Sequence, residues 1–445
     1  MTLCLSTERL PSASASSGPV RPSTVAETGL DLLYLADLLS KQLYEHGVLD
    51  LHQLSQGSAL AGPVVEEICH FLRDERRAEV RGAGEQGVLR FGLTDRGRAA
   101  ALEALARDGY AGMAPVTLED YVRQVKTQTM SADGVDRQTV HDAFADTVIA
   151  PELLDQLGPA LHSGRAMFLY GDPGTGKSFI SRRLSRLLPG NVLIPHAILV
   201  AGKALRCFDP AVHEVIEEEA TSPLARLYLE QGHDPRYVRC RRPCVVTGGE
   251  LTLNMLEVQY DATTHIHHAP IQLRANNGML VIDDLGRQRM EPMELFNRWI
   301  VPMEEHCDYL TLSNGQHFHV PFDVALVFST NLEPLSLADP AFLRRIGYKI
   351  HFEPLSRDGY LAIWQQECHE RELTCDPLVT HFVIDELHAR FKVPLLPCHP
   401  RDLLGLAQDY LRYRGVVREG LSREALHWAW QNYFGELGEP GRDAS

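Results

Sequence analysis

Residues 171–178 read Gly171-Asp172-Pro173-Gly174-Thr175-Gly176-Lys177-Ser178, and no other stretch restricts the fold of this chain so narrowly. The apolar run Ala166–Tyr170 before it is of strand type. Phe179–Leu188 after it carries Ile180, Leu184 and Leu187 at helical spacing. Strand, glycine loop and helix in that order form a phosphate-binding loop, because glycines let backbone N–H groups turn inward around phosphate oxygens at a helix N-terminus. In such a loop Lys177 reaches the β- and γ-phosphates and the Ser178 hydroxyl ligates Mg²⁺. A chance glycine-rich turn would not bring the whole spacing, the Lys-Ser pair and both flanking elements together. The chain is expected to bind a nucleoside triphosphate.

A chain of 445 residues exceeds one ordinary domain, so two or three are expected. A net charge of −16 argues against bulk attachment to nucleic acid or anionic lipid, while leaving room for a local basic patch. Nine cysteines, scattered singly, suit a reducing cytosol better than a disulfide framework. The N-terminus lacks a basic-then-apolar signal and no apolar run spans a bilayer, so a cytoplasmic protein without membrane insertion is expected.

Residues 1–27 are rich in Ser, Pro, Thr and Ala without periodicity and read as a disordered tail. In the following unit, 28–112, Leu32, Leu33, Leu35, Leu38 and Leu39 give a first helix, Leu49–Leu54 a short second, and Val64, Val65, Ile68, Phe71 and Leu72 a third that starts at Pro63. Ala78–Arg81 and Val88–Phe91 flank a glycine-rich turn as a β-hairpin, and Leu93-Thr94-Asp95-Arg96-Gly97-Arg98 opens a last helix. This order resembles a winged helix-turn-helix domain. Its third helix shows Glu66 and Glu67 where a groove-reading helix shows basic or amide side chains, so protein contact is favoured over DNA. Arg73, Arg76, Arg77, Arg81 and Arg90 keep phosphate contact conceivable. Residues 113–142 read as a linker, 143–355 as the nucleotide-binding core, 356–434 as a helical lid, and 435–445 as a loose tail.

Met279–Ile282 followed by Asp283 and Asp284 is a buried-strand run that ends in two carboxylates. Asp283 is placed to hold the Mg²⁺ water shell, and Asp284 to act as the base that polarises the attacking water. Val324–Thr330 is another apolar strand. Asn331 at its end is a candidate to orient the lytic water or touch the γ-phosphate, although a strand-end Asn also forms turns.

Taken in order, these parts resemble an AAA+ ATPase module from about Ala143 to Phe434. The resemblance implies a P-loop α/β core with a parallel sheet ordered 5-1-4-3-2 and a C-terminal helical lid. It implies ATP and Mg²⁺ as ligands, and a ring-shaped homo-oligomer, a hexamer, with sites at subunit interfaces. Gly171–Ser178 fits the Walker A motif, Asp283-Asp284 the Walker B, and Thr330-Asn331 the first sensor. Ala341–Ile346 resembles the arginine-finger segment, where Arg345 fits the spacing to Ile346 better than Arg344 does. His399–Leu403 resembles the second-sensor entry, with Arg401 reaching the γ-phosphate.

Tyr309–Val320, an alternating hairpin with an Asn-Gly turn, together with Gly248-Gly249-Glu250 and the apolar run Leu251–Val258, resembles the pre-sensor hairpin and helix-2 insert of MoxR-like proteins. Asp284 departs from the commoner Glu, as in helicase-loader-like ATPases. The segment 201–247 is longer than the family leads one to expect, and the N-terminal unit is not typical of it.

Cys240 and Cys244 with His265, His267 and His268 invite a zinc reading, but the second half lacks ligand spacing. Glu217-Glu218-Glu219 reads as a solvated helix face, and Arg236, Arg239, Arg241 and Arg242 as a basic cluster for an acidic partner, a neighbouring subunit or solvent. The expected function is ATP-driven remodelling of a protein client. The alternative is an ATP-gated DNA-binding regulator or loader.

Overall fold

The computed structural model describes residues 18–83, 88–129, 135–216, 233–374, 376–415 and 420–435. At its centre lie five parallel strands: β1 (Met167–Tyr170), β2 (Cys244–Thr247), β3 (Gly278–Ile282), β4 (Val324–Thr330) and β5 (Tyr348–His351). Their order across the sheet is 5-1-4-3-2, as expected. Parallel strands need crossover connections, which cover both faces of the sheet and make the strands apolar throughout. Phe168, Leu280, Ile282, Leu326 and Phe328 therefore pack on one side against Leu295, Phe296 and Trp299 of helix Pro292–Glu305. Met167, Leu169, Met279, Val281 and Val327 pack on the other, against helices Pro151–Ser163 and Lys177–Leu184.

The strand next to β3 was not the one expected. The run Asn191–Val200 breaks at His196, whose N–H donates to Arg236 O at 3.0 Å while its carbonyl accepts from Cys207 N, also at 3.0 Å. Asn191–Pro195 pairs antiparallel with Tyr237–Arg241, and Ala197–Val200 joins a second sheet with Lys203–Arg206, Ile266–His268, Gln259–Asp261 and Val116–Thr117. The position beside β3 falls to the four-residue β2. The apolar run Leu251–Val258, expected within a helical insert, forms a single 3-10 turn over Leu253–Leu256.

Residues 113–142 are not a bare linker. Val116–Thr117 is a strand of the second sheet, and helix Leu118–Thr127 buries Tyr121 and Val125 against it. The stretch read as a disordered tail is described from residue 18, and that part packs. Pro19 O accepts from Asp234 N at 2.8 Å, and Arg21 Nη2 donates to Leu60 O at 2.6 Å. Residues 1–17 and 436–445, and the acidic run Glu217–Glu219, lie outside the described residues.

Residues 28–112 contain helices Leu32–His46, Leu51–Ser58 and Gly62–Asp74, strands Ala78–Ala83 and Leu89–Leu93 beside a short Leu49–Asp50, and helix Asp95–Arg107. The last helix shows why its entry sequence is what it is. Thr94 Oγ1 accepts from Gly97 N at 3.1 Å and donates to Arg76 O at 2.7 Å, and a Cβ on Gly97 would stand 1.8 Å from Arg77 O. This unit is stitched to the second sheet. Lys41, buried, donates to Tyr110 O at 3.0 Å and lies 4.0 Å from Asp108, whose carboxylate also accepts from Ala204 N and Tyr110 N, both at 3.2 Å. Gly109 N donates to His265 O at 3.0 Å, and a Cβ there would meet Thr264 O at 1.6 Å.

Beyond β5 the described elements are helices, from Arg357–Glu370 through Cys398–Arg414 to Arg423–Phe434. Tyr360, Trp364, Leu403, Leu404 and Trp430 form their core, with Cys398–Arg414 packed against Arg423–Phe434.

Candidate functional site

The loop after β1 curls because its glycines take conformations that other residues avoid. Gly171 has φ 136° and lies so close to the β5 side that a Cβ would stand 2.3 Å from Phe352 O. Gly174 has φ 86°, and a Cβ there would stand 2.6 Å from Cys398 Sγ on the lid. Gly176, at φ 91°, caps the helix that begins with Lys177. Lys177 is buried and folds back on its own loop, donating to Gly171 O and Asp172 O, both at 2.8 Å, and to Thr175 Oγ1 at 3.2 Å. Burial lowers its pKa, against the opposing pull of the Asp283, Asp172 and Asp284 carboxylates. A buried ammonium facing carboxylates around N–H groups at a helix start is a site built for phosphate and a divalent cation.

A cavity of about 1650 Å³ opens there, between the C-terminal edge of the sheet, helix Pro151–Ser163 and the lid. Pro173, Gly174, Thr175, Gly176, Lys177, Ser178, Asp283, Asp284, Asn331 and Arg401 all line it. Gly171 and Asp172 support the loop from behind. The carboxylates arrive at the end of β3, whose ladder runs one bond further through Asp283 N to Thr247 O at 2.7 Å. Asp284 turns out of the strand at φ 49°, with its N–H bonded to Asp283 Oδ1 at 3.1 Å. Leu285 N donates to Ser329 O at 2.8 Å and Thr330 Oγ1 donates to Leu285 O at 2.7 Å, which ties the acidic turn to the strand that delivers Asn331.

Arg401 stands in the first turns of the lid helix with Nε 2.9 Å from Asp402 Oδ1, and that carboxylate also accepts from Tyr433 Oη at 3.1 Å. Arg345 does not reach this cavity. Its Nε pairs with Glu304 at 2.5 Å and its Nη1 donates to Ala341 O at 2.7 Å. Arg344 beside it is exposed.

Arg287, Lys349, His351 and the lid residues Cys398, Glu367 and Glu370 also line the cavity, and the sequence reading did not single them out. Arg287 alone carried a usable signal, a cation three residues beyond the acidic pair. The lid residues become neighbours only through packing.

Two members of the basic cluster are structural, while Arg241 is exposed and paired with Glu214. Arg236 is buried against Asp234 with further bonds to Thr28 O and Pro115 O, and Arg242 donates to Pro189 O and Asn277 O. Cys240 lies buried beside Val192 and Ile194, and no group of three or more His, Cys, Asp or Glu able to hold a metal occurs among the described residues. No described helix is long and apolar enough to cross a membrane.

A family described as a domain of unknown function (DUF8689) matches residues 356–432, the helical stretch behind Arg401. A vesicle-fusing ATPase of Caenorhabditis elegans is 38% identical over 64 residues, 14% of this chain and 8% of that protein. Among solved structures, the RuvB Holliday junction branch migration motor of Thermotoga maritima aligns over 70% of this chain and 74% of its own, at 12% identity and a TM-score of 0.36. NtrX from Brucella abortus aligns over 63% of this chain and 54% of its own, at 12% identity and a TM-score of 0.40. The sheet order, the loop after β1 and the acidic end of β3 give the chain the α/β fold of P-loop ATPases.

Proposed function

We propose that this chain is a cytoplasmic AAA+ ATPase of the MoxR-like type, which hydrolyses ATP at the interfaces of a hexameric ring to remodel a protein client. The observation that carries this reading is the convergence of Lys177, Ser178, Asp283, Asp284, Asn331 and Arg401 on one cavity at the C-terminal edge of a 5-1-4-3-2 sheet. Lys177 exchanges its loop carbonyls for β- and γ-phosphate oxygens. Asp284 orients and deprotonates a water, and Asn331 holds that water in line. Ser178 and Asp283 would hold Mg²⁺, which would neutralise phosphate charge. Arg401 meets the γ-phosphate from the lid, and Arg345 acts across the interface on a neighbouring subunit. The hairpin Cys307–Thr311/His317–Pro321, between helix Pro292–Glu305 and β4, supports the MoxR-like assignment.

The N-terminal unit acts as a winged-helix domain that recruits the client. Its third helix exposes Glu66 and Glu67, while Arg77 and Arg81 are paired with Asp37 and Glu79. That balance disfavours a DNA-gated regulator or loader. The test combines steady-state ATP hydrolysis, light scattering with ATP, and filter binding of duplex DNA across a salt series. Salt-dependent DNA binding of high affinity would favour the regulator, and an ATP-inert protein would defeat both readings.

A further inference from the structure

We infer that Gln288 is a positioning residue that holds Asp284 in its working orientation by clamping the backbone of the acidic turn. The inference deepens the ATPase reading and rests on it. Asp284 has φ 49°, in the sparsely populated left-handed region, which Asp takes more readily than most residues but which still costs backbone energy that local hydrogen bonds offset. That angle sets where the carboxylate points, so whatever maintains it maintains the aim of the base.

Beside the ties to Ser329 O and Thr330 Oγ1 and the Arg287 N bond to Asp284 O at 3.0 Å, one side-chain amide gathers the turn. Gln288 Nε2 lies 3.1 Å from Asp283 O, 3.3 Å from Asp284 O and 3.3 Å from Gly248 O, and Gln288 Oε1 accepts from Gly286 N at 2.8 Å. Two amide protons serve three carbonyls, so one is shared. Every polar atom of the side chain is spent on the turn that carries the acid pair.

The clamp has a fixed anchor. Glu250 Oε1 accepts from Gly248 N at 2.9 Å and from Thr247 Oγ1 at 3.0 Å, which sets the turn at the end of β2 and with it the Gly248 carbonyl. Those backbone bonds hold the Glu250 carboxyl below its ordinary range, so it stays ionised as an acceptor. The Gly248-Gly249-Glu250 motif is thereby coupled through Gln288 to Asp283 and Asp284. Gln288 itself does not line the cavity, so its effect must pass through the turn.

The test is a double-mutant cycle on the full chain. Gln288→Met keeps length and removes all four contacts, whereas Gln288→Glu keeps the acceptor for Gly286 N and removes both donors. Each is expected to lower kcat by roughly tenfold to a hundredfold while ATP affinity, read by fluorescent-nucleotide titration, stays within about twofold. In an Asp284→Asn background, Gln288→Met should cost nothing further, because the group it aims is gone. Wild-type turnover in Gln288→Met, multiplying losses in the double variant, or loss of ATP binding in both Gln288 variants would each overturn the inference. If Asp284→Asn alone hydrolyses ATP at the wild-type rate, the assignment of the base fails instead.

Discussion

The Lys177 ammonium donates to the carbonyl oxygen of Asp172 across 2.8 Å, so the cation proposed to meet phosphate is already seated within its own loop. Lys177→Ala removes both the phosphate contact and the cross-brace to Gly171 O and Thr175 Oγ1. ATP affinity should fall by on the order of 10²-fold, since a charge-assisted contact contributes about 1.5–3 kcal/mol. Wild-type affinity in a fluorescent-nucleotide titration would displace the site.

Asp284→Asn keeps the size of the side chain and removes the proposed base. ATP should bind normally while turnover drops by roughly 10²-fold or more. Rapid-quench hydrolysis at the wild-type rate would move the base to another group on the cavity wall.

Arg345 and Arg344 make distinguishable predictions for a shared site. Arg345→Ala should lose on the order of 10³-fold in rate and regain activity when mixed with Lys177→Ala subunits, each supplying what the other lacks. Because Arg345 is engaged by Glu304 and Ala341 O within its own chain, Arg344→Ala is the necessary companion. Rescue confined to Arg344→Ala would reassign the finger, and full activity in a strict monomer would end the ring reading.

The lid should be acid-labile. His388 and His399 lie buried with ring centroids 5.2 Å apart, and burial lowers each to about 4. His388 Nδ1 donates to Val393 O at 3.0 Å, which leaves Nε2 to accept from Tyr360 Oη, also at 3.0 Å. The folded pKa is depressed, so between about 6.5 and 4 the unfolded chain binds protons that the folded lid refuses. Stability is full above about pH 6.5 and falls as pH drops toward 4, by at most roughly 3 kcal/mol per ring. Thermal melts followed by tryptophan fluorescence, which reports Trp430 beside His388, should show this fall. Tm values independent of pH from 7 to 4.5 would refute it.

Much of the core was legible because buried parallel strands announce themselves. Met279–Ile282 and Val324–Phe328 are uninterrupted apolar runs, buried at every residue, and each leads to the polar residues proposed for the site. β2 escaped notice for the opposite reason. It is four residues long with Val246 exposed, and Pro243 and Gly248 close beside it read as turn residues. Val116–Thr117 pairs over two residues, too few to carry a periodic signal, so the segment around it looked like a linker. Gln288 was illegible in principle: a Gln between two arginines acquires meaning only when three carbonyls are found around its amide.

The docking of residues 28–112 bears on how work would pass through the molecule. Gly109 touches Thr264 backbone to backbone, Lys41 is locked beside Asp108, and Val116–Thr117 continues the same stretch of chain into the second sheet. A unit tied by a flexible cord would let the cord go slack before any pull reached the nucleotide cavity. Here Gly109 N to His265 O and Ala204 N to Asp108 fasten the unit directly to the second sheet, so the attachment is expected to act as a stiff crank. Gly109→Ala should loosen that crank and leave the cavity intact. ATP turnover would then survive while the proposed client remodelling is lost.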